Sequence, residues 1–199
     1  MMKRNGTLLA GTKLVKVGLA SILSAGALFA GTYNIDVSHS NVGFKVKHLM
    51  ISNVNGQFNT FSGNFNYDEK TNTIKSLEGK IKVNSIDTDN KKRDGHLKSA
   101  DFFDASKHPS LTFKLDRIND DKAYGILTIK GVSKKVELDF ENSGSIVDPW
   151  GNKRVGLELT GKINRKDYGL NWNKALEASG VVVGETVKLN IELEGILAK

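Results

Sequence analysis

The chain has 199 residues, with 29 Lys or Arg against 22 Asp or Glu, four His and no Cys, for a formal charge of +7. Four of those cations fall within the first 30 residues, which hold no acid, so residues 31–199 retain only +3. Acids and bases stay mixed along that remainder, which argues against the dense basic face of a nucleic-acid binder, and the lack of Cys excludes a disulfide scaffold.

In chain order, Lys3, Arg4, Lys13 and Lys16 precede an uncharged run from Val17 to Ala30. This is a basic n-region followed by an apolar h-region, short of the ~20 apolar residues that a membrane-spanning helix needs. We expect a signal peptide over residues 1–30, cut after Ala30, export to the periplasm, and one domain over 31–199. A domain of that length buries an adequate core without disulfides.

From Thr32 onward the period is two, the mark of strands with one buried and one wet face. Tyr33, Ile35 and Val37 alternate with polar residues, and Val42, Phe44, Val46 and His48 share a face opposite Lys45 and Lys47. Between Asn53 and Tyr67 the phase slips, which predicts a bulge or break at Gly56 or Gly63. The rhythm resumes at Leu77, Gly79, Ile81 and Val83, at Leu111, Phe113 and Leu115, and at Val136, Leu138 and Phe140. Two long strands close the pattern, Val155 to Asn164 and Thr186 to Leu197. Turn chemistry separates these runs at Asp68 to Asn72, Asn119 to Lys122, Lys130-Gly131 and Asp148 to Asn152.

Two stretches break the rhythm. Asp89 to Phe103 predicts a short helix, capped by Asp87, Thr88 or Asp89 and stopped before Pro109. Arg165 to Glu185 is a second irregular connection, and such segments often carry function. About eight strands and almost no helix leave a sandwich or a closed barrel. The long two-faced strands favour the barrel, because closure removes the edges they would otherwise expose.

Several ordered motifs carry a resemblance: Tyr33-x-Ile35-Asp36-x-x-His39-Ser40-x-Val42-x-Phe44-x-Val46-x-His48, then Val54-x-Gly56-x-Phe58. They continue with Ile86-Asp87-Thr88, Arg93-Asp94-x-His96-Leu97-x-Ser99-x-Asp101-Phe102-Phe103-Asp104, Leu127 to Val132, and Asn164-Arg165-x-Asp167-Tyr168-Gly169-Leu170-x-Trp172. The pattern resembles the YceI-like polyisoprenoid-binding proteins of the bacterial periplasm. The resemblance implies an all-β fold, an elongated lipocalin-like eight-stranded antiparallel β-barrel with a short helical connection. It further implies an apolar lumen for a long-chain isoprenoid or other amphiphilic lipid, such as a quinone tail or fatty amide. A homodimer and transient membrane contact fit the same picture, with no cofactor.

A lumen needs apolar walls and no catalytic group, since each buried methylene is worth about 0.8 kcal/mol. The candidate walls are Val42, Phe44 and Val46 on one strand and Phe113 and Leu115 on another. Leu157, Leu159 and Ile163 follow on the penultimate strand, with Leu189 and Ile191 on the last. Each could equally fill an ordinary packed core. For a headgroup, Arg93, His96 and His48 are the candidates at the mouth. The competing reading of Arg93 is structural, an ion pair with Asp94, Asp101 or Asp167 that pins the helix. The histidines His39, His48, His96 and His108 stand at no ligand spacing such as i, i+4, so no metal site is expected. No nucleophile motif appears either. Trp150 and Trp172 are expected to close the barrel ends. A secreted stress or interaction protein with a filled core, or less readily a lipid-acting enzyme, remain the alternatives.

Overall fold

The computed structural model describes residues 30–176 and 180–199. The expected signal peptide lies outside the described residues except for Ala30, which opens the first strand. The strands in chain order are β1 Ala30–Ile35, β2 Asn41–His48, β3 Ser52–Phe58, β4 Phe61–Asp68, β5 Thr73–Lys82 and β6 Ile86–Asp87. After helix α1, Lys91–Lys98, come β7 Ser110–Asn119, β8 Lys122–Ile129, β9 Val132–Val147 and β10 Lys153–Asn164. A small hairpin, β11 Ala175–Leu176 and β12 Gly180–Val181, precedes β13 Val183–Leu197.

Neighbouring strands pair antiparallel in the order β1, β4, β5, β7, β8, β9, β10, β13, and β13 pairs back onto β1. That closure makes the expected eight-stranded barrel. One end is prolonged by interrupted staves. β2 resumes the path of β1 after a 3-10 turn at Val37–His39 and pairs with β13 between Val183 and Glu192, while β1 takes Gly195 to Leu197. In the same way β3 pairs with β2 and β6 beyond the reach of β4 and β5. The β5–β7 ladder stops at Lys82 opposite Ser110, and the chain between β6 and β7 carries α1.

Several local expectations are corrected. The phase slip arises at Asn59 and Thr60, which separate β3 from β4, and not at Gly56 or Gly63, both of which lie inside strands. Asn90 caps the helix, its side chain accepting from the Arg93 N–H at 3.0 Å. The three residues expected there are used otherwise: the Thr88 hydroxyl donates to Asp94 and the Asp87 carboxylate accepts from the Asp89 N–H. Val37 leaves the alternation because it sits in the 3-10 turn and faces water. The Arg165–Glu185 stretch is a 3-10 turn, the small hairpin and the opening of β13.

The barrel interior divides into two apolar clusters. At the end remote from α1, Tyr33, Phe65 and Tyr67 form a plug. The Tyr33 and Phe65 rings stack at 5.5 Å between centroids, and Tyr67 meets Tyr33 edge-on at 5.8 Å. Gly195 lets β13 approach this stack, since a Cβ there would lie 2.4 Å from Phe65 Cζ. Tyr33 also donates its hydroxyl to Glu69 at 3.0 Å, so its polar end is satisfied at the rim. Leu115 and Leu157 belong to this packed end. An outer clasp supports the bend between β1 and β2: Arg154 on β10 binds Asp36, Glu194 and Asp148 at once.

Candidate ligand-binding lumen and its mouth

The alternation of β2, β7, β10 and β13 aims one set of apolar side chains at the barrel axis, and towards the α1 end these do not meet. A cavity of about 130 Å³ is walled by Val42, Phe44 and Val46 of β2, Ile163 of β10, and Leu189 and Ile191 of β13. Deeper lies a second void of about 70 Å³, bounded by Phe113, Leu159 and Leu193 among others. Val42, Ile81, Leu127, Leu189 and Ile191 border both, so the two are one lumen pinched by shared side chains. Apolar cavities of about 150 Å³ stay dry and accept a benzene-sized guest. A longer tail must therefore push these side chains apart as it enters.

The upper cavity continues through Phe44, Val46, Leu97, Phe102 and Val183 into a surface groove of about 440 Å³. Here the chemistry changes. His48, Lys47, Lys92, Arg93 and His96 line the groove together with Trp172, and no carboxylate lines it among the described residues. His96 sits between two rings, 4.8 Å from Trp172 and 5.1 Å from Phe102, and its Nε2 meets Asp101 Oδ2 at 2.8 Å. Trp172 therefore borders the mouth, which it does not close. Trp150 is 81% exposed at the tip of the β9–β10 hairpin and closes nothing.

Arg93 pairs with none of the expected aspartates. Its Nε donates to the Thr88 hydroxyl at 2.8 Å and its Nη2 to the Thr88 carbonyl at 2.5 Å, while Thr88 in turn donates from both N–H and hydroxyl to the buried Asp94. The arginine therefore fixes the entry to α1 and still borders the groove. The ring of His48 borders the groove too, with no hydrogen-bond partner among the described residues.

Of the thirteen positions anticipated for ligand contact, Leu115 and Leu157 lie in the packed end and the others border a cavity or the groove. Sequence reasoning missed the walls supplied from outside regular strands, above all Leu97, Phe102, Phe103 and Leu170. Phe102 and Phe103 stood in a quoted motif but follow no period that assigns a face.

Arg165 is the unexpected structural group. It is 3% exposed, and its guanidinium donates to the carbonyls of Gly184 at 2.9 Å, Trp172 at 2.9 Å, Val183 at 3.2 Å and Leu170. No carboxylate lies within ion-pair reach among the described residues, and burial draws its pKa down from the usual arginine value. Four carbonyls solvate the charge instead, locking the 165–172 loop to the start of β13. Beside it, burial and then the Asp167 charge push the Tyr168 hydroxyl up to about 12.

Asp36, His39 and Glu194 come close enough to share an ion, their ligand atoms all within 4.8 Å. The same carboxylates already hold Arg154, whose Nη1 binds Asp36 at 2.9 Å as well as Glu194. A cationic guanidinium on those oxygens makes this a clasp.

The fold is thus a closed antiparallel barrel, plugged at one end, with an apolar lumen that opens through a polar mouth at the other. Its particular kind follows from comparison with known sequences. The model of the YceI-like domain matches residues 33–195, and the chain belongs to that family. A UPF0312 protein of Pectobacterium atrosepticum is 36% identical over 194 residues, covering 94% of this chain and 98% of its own. Among solved structures, the Campylobacter jejuni YceI protein is 37% identical, with a TM-score of 0.68 over 82% of this chain and 96% of that one. A polyisoprenoid binding domain from Saccharophagus degradans shares the fold at 17% identity, with a TM-score of 0.62 over 83% of this chain and 98% of that one.

Proposed function

We propose that the protein captures a long-chain amphiphile, an isoprenoid or a similar lipid, with the tail in the lumen and the polar head at the mouth. The observation that carries this reading is the continuity between an apolar cavity, in whose wall the carbonyl-bound Arg165 is the one charged residue among those described, and a groove rimmed by Lys47, Lys92 and Arg93. Burial of about ten methylenes supplies roughly 8 kcal/mol, enough for micromolar affinity, so no catalytic group is required. The shared fold with a polyisoprenoid binding domain of Saccharophagus degradans supports the same ligand class. Export to the periplasm belongs to this proposal and rests on the basic and apolar leader, and so does a homodimer, which sedimentation of the purified protein reads.

Native mass spectrometry with lipid extraction, on protein purified from its own cell envelope, tests the reading. We expect a co-purified amphiphile. Protein that carries none, and that takes up no added polyprenol, refutes it.

A further inference from the structure

Two features beside the mouth have no part in holding a tail. The β2–β3 hairpin turns at Leu49, Met50 and Ile51, directly after Lys47 and His48 of the groove. Met50 is 54% exposed and Ile51 83%, the latter the most exposed large apolar residue among those described. The turn also has an unfavourable sequence for its shape. Leu49 and Met50 both hold positive φ, 49° and 61°, where Asn and Gly would fit with less strain. A fold that keeps two bulky apolar residues in left-handed positions, and a third fully in water, retains them against local preference.

The second feature is charge. Lys47, Lys92 and Arg93 border the groove with two histidines. Among the described residues no acid lines the groove itself: Asp101 meets His96, Asp94 is buried behind Thr88, and Asp87 and Asp89 open onto the adjoining surface. An apolar prong and a cationic collar therefore flank the same opening.

We infer that the Met50–Ile51 tip and the Lys47, Lys92 and Arg93 collar form a docking surface for an anionic lipid bilayer, which seats the lumen mouth against the membrane. The inference rests on the proposed lumen reading and adds the place from which a lipid enters. Apolar side chains at the tip enter the boundary between headgroups and acyl chains, while the collar is drawn to acidic headgroups. The collar acts across about 8–10 Å at physiological salt, so the attraction must weaken as salt rises. The opening from groove to cavity through Phe44 and Leu97 then faces the bilayer, and a tail can pass without crossing water.

The test is vesicle co-sedimentation of the full protein and of a Met50→Asn/Ile51→Ser variant. Asn suits the positive φ at position 50, and both side chains are exposed, so the fold should survive. With vesicles of phosphatidylcholine containing about a third phosphatidylglycerol, we expect binding that falls at least roughly tenfold in pure phosphatidylcholine or in about 0.5 M salt. The variant should lose roughly tenfold or more in binding to anionic vesicles, with unchanged uptake of a fluorescent polyene fatty acid in vesicle-free buffer. Equal sedimentation with neutral and anionic vesicles, no sedimentation with either, or a variant that binds like the parent overturns the inference. So does a variant that changes the sedimenting mass of the protein alone, which would make the tip a contact with a second copy. Vesicle binding without polyene uptake leaves the docking surface standing and sinks the lumen reading instead.

Discussion

Ile191→Trp tests the lumen most directly. Ile191 borders both the 130 Å³ and the 70 Å³ voids, so an indole there grows into the pinch between them. Trp adds about six heavy atoms to the side chain, close to the benzene that a void of about 150 Å³ accepts. If the space is real, the ring fills it with little strain. Where no space exists, overpacking costs about 1–3 kcal/mol and the melting temperature falls. Ligand suffers either way, because the ring occupies volume that would have sheltered about six carbons, worth up to about 5 kcal/mol at 0.8 kcal/mol each. We therefore expect polyprenol or fatty-acid affinity to drop by two to three orders of magnitude, about 3–4 kcal/mol, while thermal stability holds or rises. Fluorescence titration with a polyene fatty acid and a thermal melt read the two quantities. Undiminished affinity would show that the tail binds outside the barrel, and a strongly lowered melting temperature would show that the voids are not free space.

Other consequences are independent of any ligand. Arg165→Met leaves the carbonyls of Gly184, Leu170, Trp172 and Val183 without their donor, so urea unfolding should show a loss of at least about 3 kcal/mol. A loss below about 1 kcal/mol would mean that water replaces the guanidinium freely. The Asp36 carboxyl is held down at about 2, from the ordinary aspartate value of 3.8, by its bond to His39 and then by Arg154. Because this folded value lies below the unfolded one, the stabilisation is present above about pH 4 and disappears as pH falls through about 2. Asp36→Asn should flatten the acid limb of the stability curve over that window, and an unchanged limb would contradict the clasp. Gly195→Ala drives a methyl into the Tyr33–Phe65 stack, and a melt should register about 1–3 kcal/mol of destabilisation. A neutral result would mean that the plug is loosely packed.

The strand faces and most turns were legible from one sequence, because a period of two fixes which side chains share a face whatever lies opposite, whereas that pattern left sandwich and barrel open, and the closed barrel was favoured by strand length and implied by the family resemblance. Val42, Phe44 and Val46 against Lys45 and Lys47 needed no coordinates. Residues whose roles depend on distant partners were not legible in this way. Nothing local distinguishes Leu157, which fills the plugged end, from Leu159 two residues on, which borders a void: both face inwards, and only the tapering of the interior around Tyr33 and Phe65 separates them. Arg93 was expected to seek an aspartate and found Thr88, since the fold had already buried Asp94 behind that threonine. Arg165 stood in a quoted motif, but its role was not legible, because its partners are backbone carbonyls and every residue has one. Periodicity is written along the chain, whereas a cavity, a clasp or a mouth exists only where segments far apart in sequence are brought together, and that was for the tertiary structure to decide.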